Sequence, residues 1–140
     1  MTKNTLFLLL LFYSSFVKNV IASETIIVVA NTPNKSIQLN RQQVRNLFMG
    51  GVTPYNLKAI ALPPENQIRV LFNTKVVGLT ESRIQSYWAQ MRFTGRRTAP
   101  KEIKSEALAL QYLTKNEGSV AYLSSTADIP SELTILFKVN

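Results

Sequence analysis

The run Ile26-Ile27-Val28-Val29-Ala30 constrains the fold more than any other stretch of this 140-residue chain. Successive β-branched residues with no polar alternation read as a buried strand, not one with a solvent face. Asn31-Thr32-Pro33-Asn34 bounds the run with turn-forming residues. A buried strand needs other elements to cover it, and the rest of the chain supplies them. Leu39, Val44, Leu47 and Phe48 fall at helical spacing, with Asn40 as N-cap and Gly50-Gly51 as terminator. Leu57 to Leu62 reads as a second strand, stopped by Pro63-Pro64, and Pro64 opens a helix through Ile68, Leu71, Phe72 and Val76. Thr80 caps a third helix, Glu81 to Arg92, whose Ile84, Tyr87, Trp88 and Met91 share one face. Phe93 to Pro100 reads as a basic loop. Ser105 caps a fourth helix with Leu108, Tyr112 and Leu113 on one side, closed by Asn116-Glu117-Gly118. Ser119–Leu123 and Leu133–Val139 are two final strands. The order β-α-β-α-α-α-β-β specifies an α/β domain with a mixed sheet flanked by helices.

Composition removes whole classes of chemistry. The chain has no Cys and no His. It therefore has no disulfide, thiol nucleophile, Ser-His-Asp triad or thiolate metal site. Its acidic residues are scattered, with no close cluster for a metal and no glycosidase pair in view. No enzyme and no cofactor are expected.

The N-terminus has the layout of a secretory signal. Lys3 supplies a positive start, Leu6 to Phe12 an apolar run, and Val20-Ile21-Ala22 a cleavage site. The run is short for a bilayer span, which takes about 20 apolar residues. An uncleaved anchor is the alternative. No Cys follows the run, so a lipoprotein is not expected. The expected organisation is a signal peptide over residues 1–22 and one domain over 23–140, exported to a bacterial periplasm.

Four short motifs, in order, carry a resemblance. They are Leu47-Phe48-Met49-Gly50 after a strand, and Arg69 with Phe72 after the next strand. An aromatic helix follows, running from Trp88 into Phe93-Thr94-Gly95 and on to Pro100. Last comes the strand Gly118-Ser119-Val120-Ala121-Tyr122. Together they make the chain resemble the phosphate-binding-protein-like branch of type 2 periplasmic binding proteins. Full-length members close two lobes around a ligand, and this chain resembles about one lobe. The resemblance implies a non-catalytic solute-binding domain for phosphate or another small oxyanion, serving an ABC-type transporter. The family's Ser-Gly-Thr turn is replaced here by Pro64-Glu65-Asn66-Gln67-Ile68-Arg69, with a negative charge at Glu65.

Three groups of residues have the chemistry to hold an oxyanion. Asn66, Gln67 and Arg69 start a helix, offering N–H groups, amides and a bidentate guanidinium. The alternative is a solvated or salt-bridged Arg69, with Glu65 complementing the helix dipole. Thr94, Gly95, Arg96 and Arg97 pair two cations with a turn and hydroxyls. That group suits phosphate, sulfate, an acidic partner or lipid headgroups, or is a solubilising loop. Asn31, Thr32 and Ser36 follow the first strand, at the kind of strand end where ligands gather in open α/β sheets. They also read as ordinary turn residues. The Tyr87-Trp88-Met91-Phe93 stripe reads as core.

The net charge of +8 favours anionic partners. The expected partners are a small oxyanion and an inner-membrane transporter or envelope protein. Export argues against nucleic acid. A lone lobe does not enclose its ligand, and water weakens an open polar grip. The chain is therefore alternatively a protein-interaction or sensory module, or a homodimer that rebuilds a cleft.

Overall fold

A computed structural model describes residues 24–139. The signal-like segment, 1–22, lies outside the described residues. Ten elements follow one another. They are β1 (Ile26–Ala30), α1 (Arg41–Phe48), β2 (Lys58–Ala61), α2 (Gln67–Phe72), a π-helical turn (Asn73–Val77), α3 (Glu81–Thr94), β3 (Lys101–Glu102), α4 (Glu106–Lys115), β4 (Ser119–Ser124) and β5 (Thr134–Val139). No helix among the described residues is long and apolar enough to cross a membrane.

The helices start where short polar side chains satisfy their free N–H groups. Asn40 Oδ1 accepts from Gln43 N at 2.9 Å, and Gln43 Oε1 accepts from Asn40 N at 2.8 Å, a complete capping box. Thr80 and Ser105 cap α3 and α4 with the hydroxyl alone, which accepts from Arg83 N and from Leu108 N. Pro64 does not open a helix. The chain turns first, with Asn66 N donating to Pro63 O at 3.0 Å, and Asn66 caps α2 through its bond from Ile68 N at 2.9 Å. The side-chain cap outcompetes the fixed φ of proline as a start signal. Helix α3 also runs beyond Arg92 through Phe93 and Thr94, and ends at Gly95, whose φ of +66° suits glycine.

The sheet order is β3-β2-β4-β1-β5. β2 lies parallel to β3 and to β4, while β1 lies antiparallel to both β4 and β5. One reversed strand thus sits inside an otherwise parallel sheet. Every residue of β1 and β4 is buried, so helices and loops cover both faces. Phe72, fully buried, stacks on Tyr122 with ring centroids 4.0 Å apart, and Phe48 meets Phe72 edge-on at 4.8 Å. Such ring pairs add about 1 kcal/mol beyond their buried area.

Two apolar assignments from periodicity need correction. Trp88 and Ile84 are buried, and Tyr87 and Met91 pack against the core, but Phe93 is 94% exposed. It lies about 140° around the helix from Trp88. On α4 the buried residues are Ala109 and Leu113, and Leu108 faces outward.

Candidate functional site

Strand direction divides the expected binding residues between opposite edges of the sheet. β2 and β4 run parallel, with Lys58 beside Ser119 and Ala59 beside Val120. Their carboxyl ends therefore finish at the same edge of the sheet, where Pro63–Gln67 follows β2 and Ser125-Thr126 follows β4. β1 runs the other way, and Ala30 pairs with Val120 and Thr134 at the starts of β4 and β5. Asn31, Thr32 and Ser36 thus lie at the amino edge, far from Asn66, Gln67 and Arg69. These three residues do follow the carboxyl end of their own strand, as expected, but β1 is the reversed strand of the mixed sheet, so that end lies at the amino edge of β2 and β4.

Arg69 is the most heavily engaged of these residues. Only 6% of it is exposed. Its Nη2 donates to Glu81 Oε1 at 2.5 Å and its Nε to Glu81 Oε2 at 2.9 Å. Nη1 donates to Leu62 O at 2.6 Å and to Glu102 Oε2 at 3.3 Å. Asn73 and Gln85 each donate a further bond to Glu81, both at 2.7 Å. The guanidinium does grip an oxyanion in bidentate fashion, and that oxyanion is the protein's own Glu81. Burial alone pulls the Arg69 guanidinium down and the Glu81 carboxyl up. The hydrogen bonds and opposite charges outweigh burial, so Arg69 ends above its ordinary value and Glu81 below the usual carboxylate range. Tyr122 completes this wall. Its hydroxyl accepts from Leu62 N at 3.0 Å, and burial pushes its pKa well up. A cavity of about 120 Å³ lies among these groups, lined by Arg69, Asn73, Gln85, Trp88, Glu102 and Tyr122.

Asn66 and Gln67 remain at the carboxyl edge. Asn66 spends its Oδ1 on the cap, and Gln67 is exposed. The sequence reading missed Ser125 and Thr126, also exposed there. The signal for them was the end of a buried strand at a hydroxyl cluster. Two carboxylates share this edge. Glu65 is exposed on the turn, and Glu106 accepts from Ser124 N at 2.6 Å.

At the amino edge, Asn31 braces the fold. Its Nδ2 donates to Leu113 O at 2.7 Å, and its backbone bonds Gly118 and Ser119. Thr32 is buried and accepts from Asn34 N at 3.3 Å, while Ser36 is exposed. The arginine loop precedes β3. Thr94 donates to Met91 O, Gly95 turns the chain, and Arg97 Nη1 donates to the Tyr87 hydroxyl at 2.9 Å. Arg96 N donates to Met91 O at 3.2 Å, closing the helix end, while its guanidinium has no hydrogen-bond or ion-pair partner among the described residues. β3 and β1 are three strand spacings apart, about 14 Å, so one small anion does not bridge the two loops. A cleft of about 670 Å³ opens at this amino edge, lined by Gly50, Lys58, Thr98, Lys101, Asn116 and Ser119. Lys58 and Lys101 were not singled out from sequence, because nothing local marks a strand's first residue as facing a cleft.

This sheet order and its helices have the fold of one lobe of a type 2 periplasmic binding protein. Solved structures share it, among them the following three. An ABC-type phosphate transport receptor from Vibrio cholerae aligns over 81% of this chain with a TM-score of 0.59 and 15% identity. PstS from Borrelia burgdorferi aligns over 81% with a TM-score of 0.59 and 10% identity. A substrate-binding protein assigned to a phosphate ABC transporter in Clostridium perfringens, solved with phosphate bound, aligns over 81% at 0.61 and 12%. This chain spans under half of each, namely 45%, 46% and 44% of their lengths. No protein-family model matches it, and neither does any curated protein.

Proposed function

We propose that the chain is an exported, non-catalytic solute-binding-type domain that takes phosphate or a similar small oxyanion for an ABC-type transport system. The observation that carries this reading is the fold shared with phosphate receptors. The proposed contacts are the amides of Asn66 and Gln67 and the hydroxyls of Ser125 and Thr126, at the carboxyl edge where ligands gather in open α/β sheets. The positive charge around Arg96 and Arg97 raises the local anion concentration at low salt. Asn31 and Thr32 act as braces of the amino edge, Ser36 is an exposed turn residue, and Arg69 is a structural cation.

The test is calorimetric titration of the exported protein, its N-terminus read by mass spectrometry, with phosphate and with sulfate. Saturable, phosphate-selective heat that persists at physiological salt and falls in Gln67→Ala and Thr126→Ala supports the reading. Equal weak heats with both anions, lost on adding salt, overturn it.

A second reading has its own support. Glu81 already occupies Arg69, and Glu65 and Glu106 repel an anion at the carboxyl edge. These carboxylates favour a protein-interaction or sensory accessory module that kept the lobe without tight oxyanion capture. Partner capture without phosphate-selective heat is the expected result for that module.

A further inference from the structure

The carboxyl end of α3 combines an unusual charge pattern with an uncovered aromatic ring. From Ser82 to Lys101 the chain has no Asp or Glu, yet carries Arg83, Arg92, Arg96, Arg97 and Lys101. Residues 92–99 are all exposed in one continuous stretch. Among the described residues, the ion pairs are Arg69–Glu81 and Arg69–Glu102. Arg92, Arg96 and Arg97 thus face solvent without a carboxylate. Phe93 stands between them at 94% exposure. Arg92 has a local explanation, since a cation in the last turn suits the helix dipole, and Arg97 spends one donor on the Tyr87 hydroxyl. The Arg96 guanidinium lies past the helix end without a partner, the other donors of Arg97 are open, and Phe93 has no such account.

We propose that this end of α3 is a docking surface for an anionic lipid bilayer. Phe93 enters the boundary between headgroups and acyl chains, and Arg92, Arg96 and Arg97 lie on headgroup phosphates. Two features favour a bilayer over a protein groove. The ring has no apolar walls of its own, so a rigid partner must supply a whole pocket, whereas a fluid surface closes around any projecting ring. The cations also flank the ring on both sides in sequence, the pattern of an amphipathic side chain with snorkelling arginines at an interface. The attachment is weak and reversible, because a single ring and a few charges fall far short of a membrane span. It would hold the domain at the membrane whether or not the carboxyl edge binds an oxyanion, and does not depend on that reading.

The experiment is sedimentation of purified protein with phosphatidylcholine vesicles, with and without phosphatidylglycerol. Every variant carries the same N-terminus, so whatever precedes Glu24 contributes equally. Binding is expected only when phosphatidylglycerol is present, and should fall as salt rises. Replacing Arg92, Arg96 or Arg97 by Gln should weaken it about fivefold each, and Phe93→Ser roughly tenfold. These side chains are exposed, so folding should survive, as unchanged circular dichroism would verify. A Phe93→Trp variant should show quenching by acyl-brominated lipid beyond that of the parent, whose Trp88 is buried. Inorganic phosphate, at constant ionic strength, should not displace the vesicles. Displacement would assign the arginines to a free anion and overturn the proposal. Equal binding to neutral vesicles, no loss in the variants, or binding to soluble polyglutamate alone would overturn it too, the last pointing to an acidic protein.

Discussion

At the amino end of α3, Glu81 holds Arg69 in a buried pair braced by Asn73 and Gln85. At the other end of this 14-residue helix, Arg92, Arg96 and Arg97 stand in solvent beside a bare phenyl ring. The same residue type serves opposite purposes. A buried guanidinium is tolerable only where its donors are satisfied, so Arg69 is committed to the protein itself. Exposed guanidiniums cost little to leave open, which keeps them free for an external anion. The difference shows why counting arginines in a sequence does not locate a binding site.

The largest expected effect tests the buried end. Glu81→Gln should cost about 3 kcal/mol, the lower end of the range for breaking a buried pair, because Glu102 remains. Arg69→Met combined with Glu81→Leu should cost less than the single change, since it leaves no orphan charge. Urea unfolding would measure both. A double variant at least as damaged as the single one would break the comparison by showing the pair to be a net stabiliser in itself. The pH profile sharpens the point. Glu81 is held below the ordinary carboxylate pKa, so its contribution is complete above that value. It is lost as pH falls from there through the lowered folded value. Glu81→Gln should remove that acid-side loss from the thermal midpoints.

A smaller effect is expected at Tyr122→Phe. The change leaves Leu62 N without its partner and should cost about 1–3 kcal/mol. Leu62 also supplies the carbonyl that holds Arg69. A coupling of about 0.5 kcal/mol or more between Tyr122→Phe and Glu81→Gln would show the buried end to be one network. Strict additivity would show two separate ones.

The smallest effect belongs to the exposed end. Phe93→Ser and Arg96→Gln should each leave stability within about 0.5 kcal/mol of the parent. A larger loss in urea unfolding would show that the ring or the cation packs against the protein, and the contrast between the two ends would fail.

Most of the framework was legible because its causes are local. Asn40, Thr80 and Ser105 start helices through bonds to residues three positions away, which depend little on the tertiary arrangement. The strand Ile26–Ala30 was legible because an unbroken β-branched run has few other uses. The resemblance to one binding-protein lobe rested on motifs spread along the chain, and the sheet and helices agree with it. The site was less legible. Arg69 meets Glu81 across twelve positions and a π-helical turn, and Glu102 across a further helix. Phe93 misled because it continues an aromatic run, although at about 140° from Trp88 it lies off the buried face of α3. Pro64 offered a plausible helix start, and the cap at Asn66 displaced it.

By itself, the sequence determined, among the described residues, four of the five strands and the four α-helices in order, though not the two-residue β3 or the π-helical turn, along with most of the caps and the absence of thiol and imidazole chemistry. Only the tertiary structure decided the direction of β1, and with it the separation of Asn31 from Asn66. Only it decided that Arg69 faces inward to Glu81 while Arg96 faces out. The physical reason is one of range. Backbone hydrogen bonding and helical periodicity act over a few residues and are written in order along the chain. Strand direction and charge pairing are settled by which distant groups share a buried space, where an unpaired charge is too costly to leave.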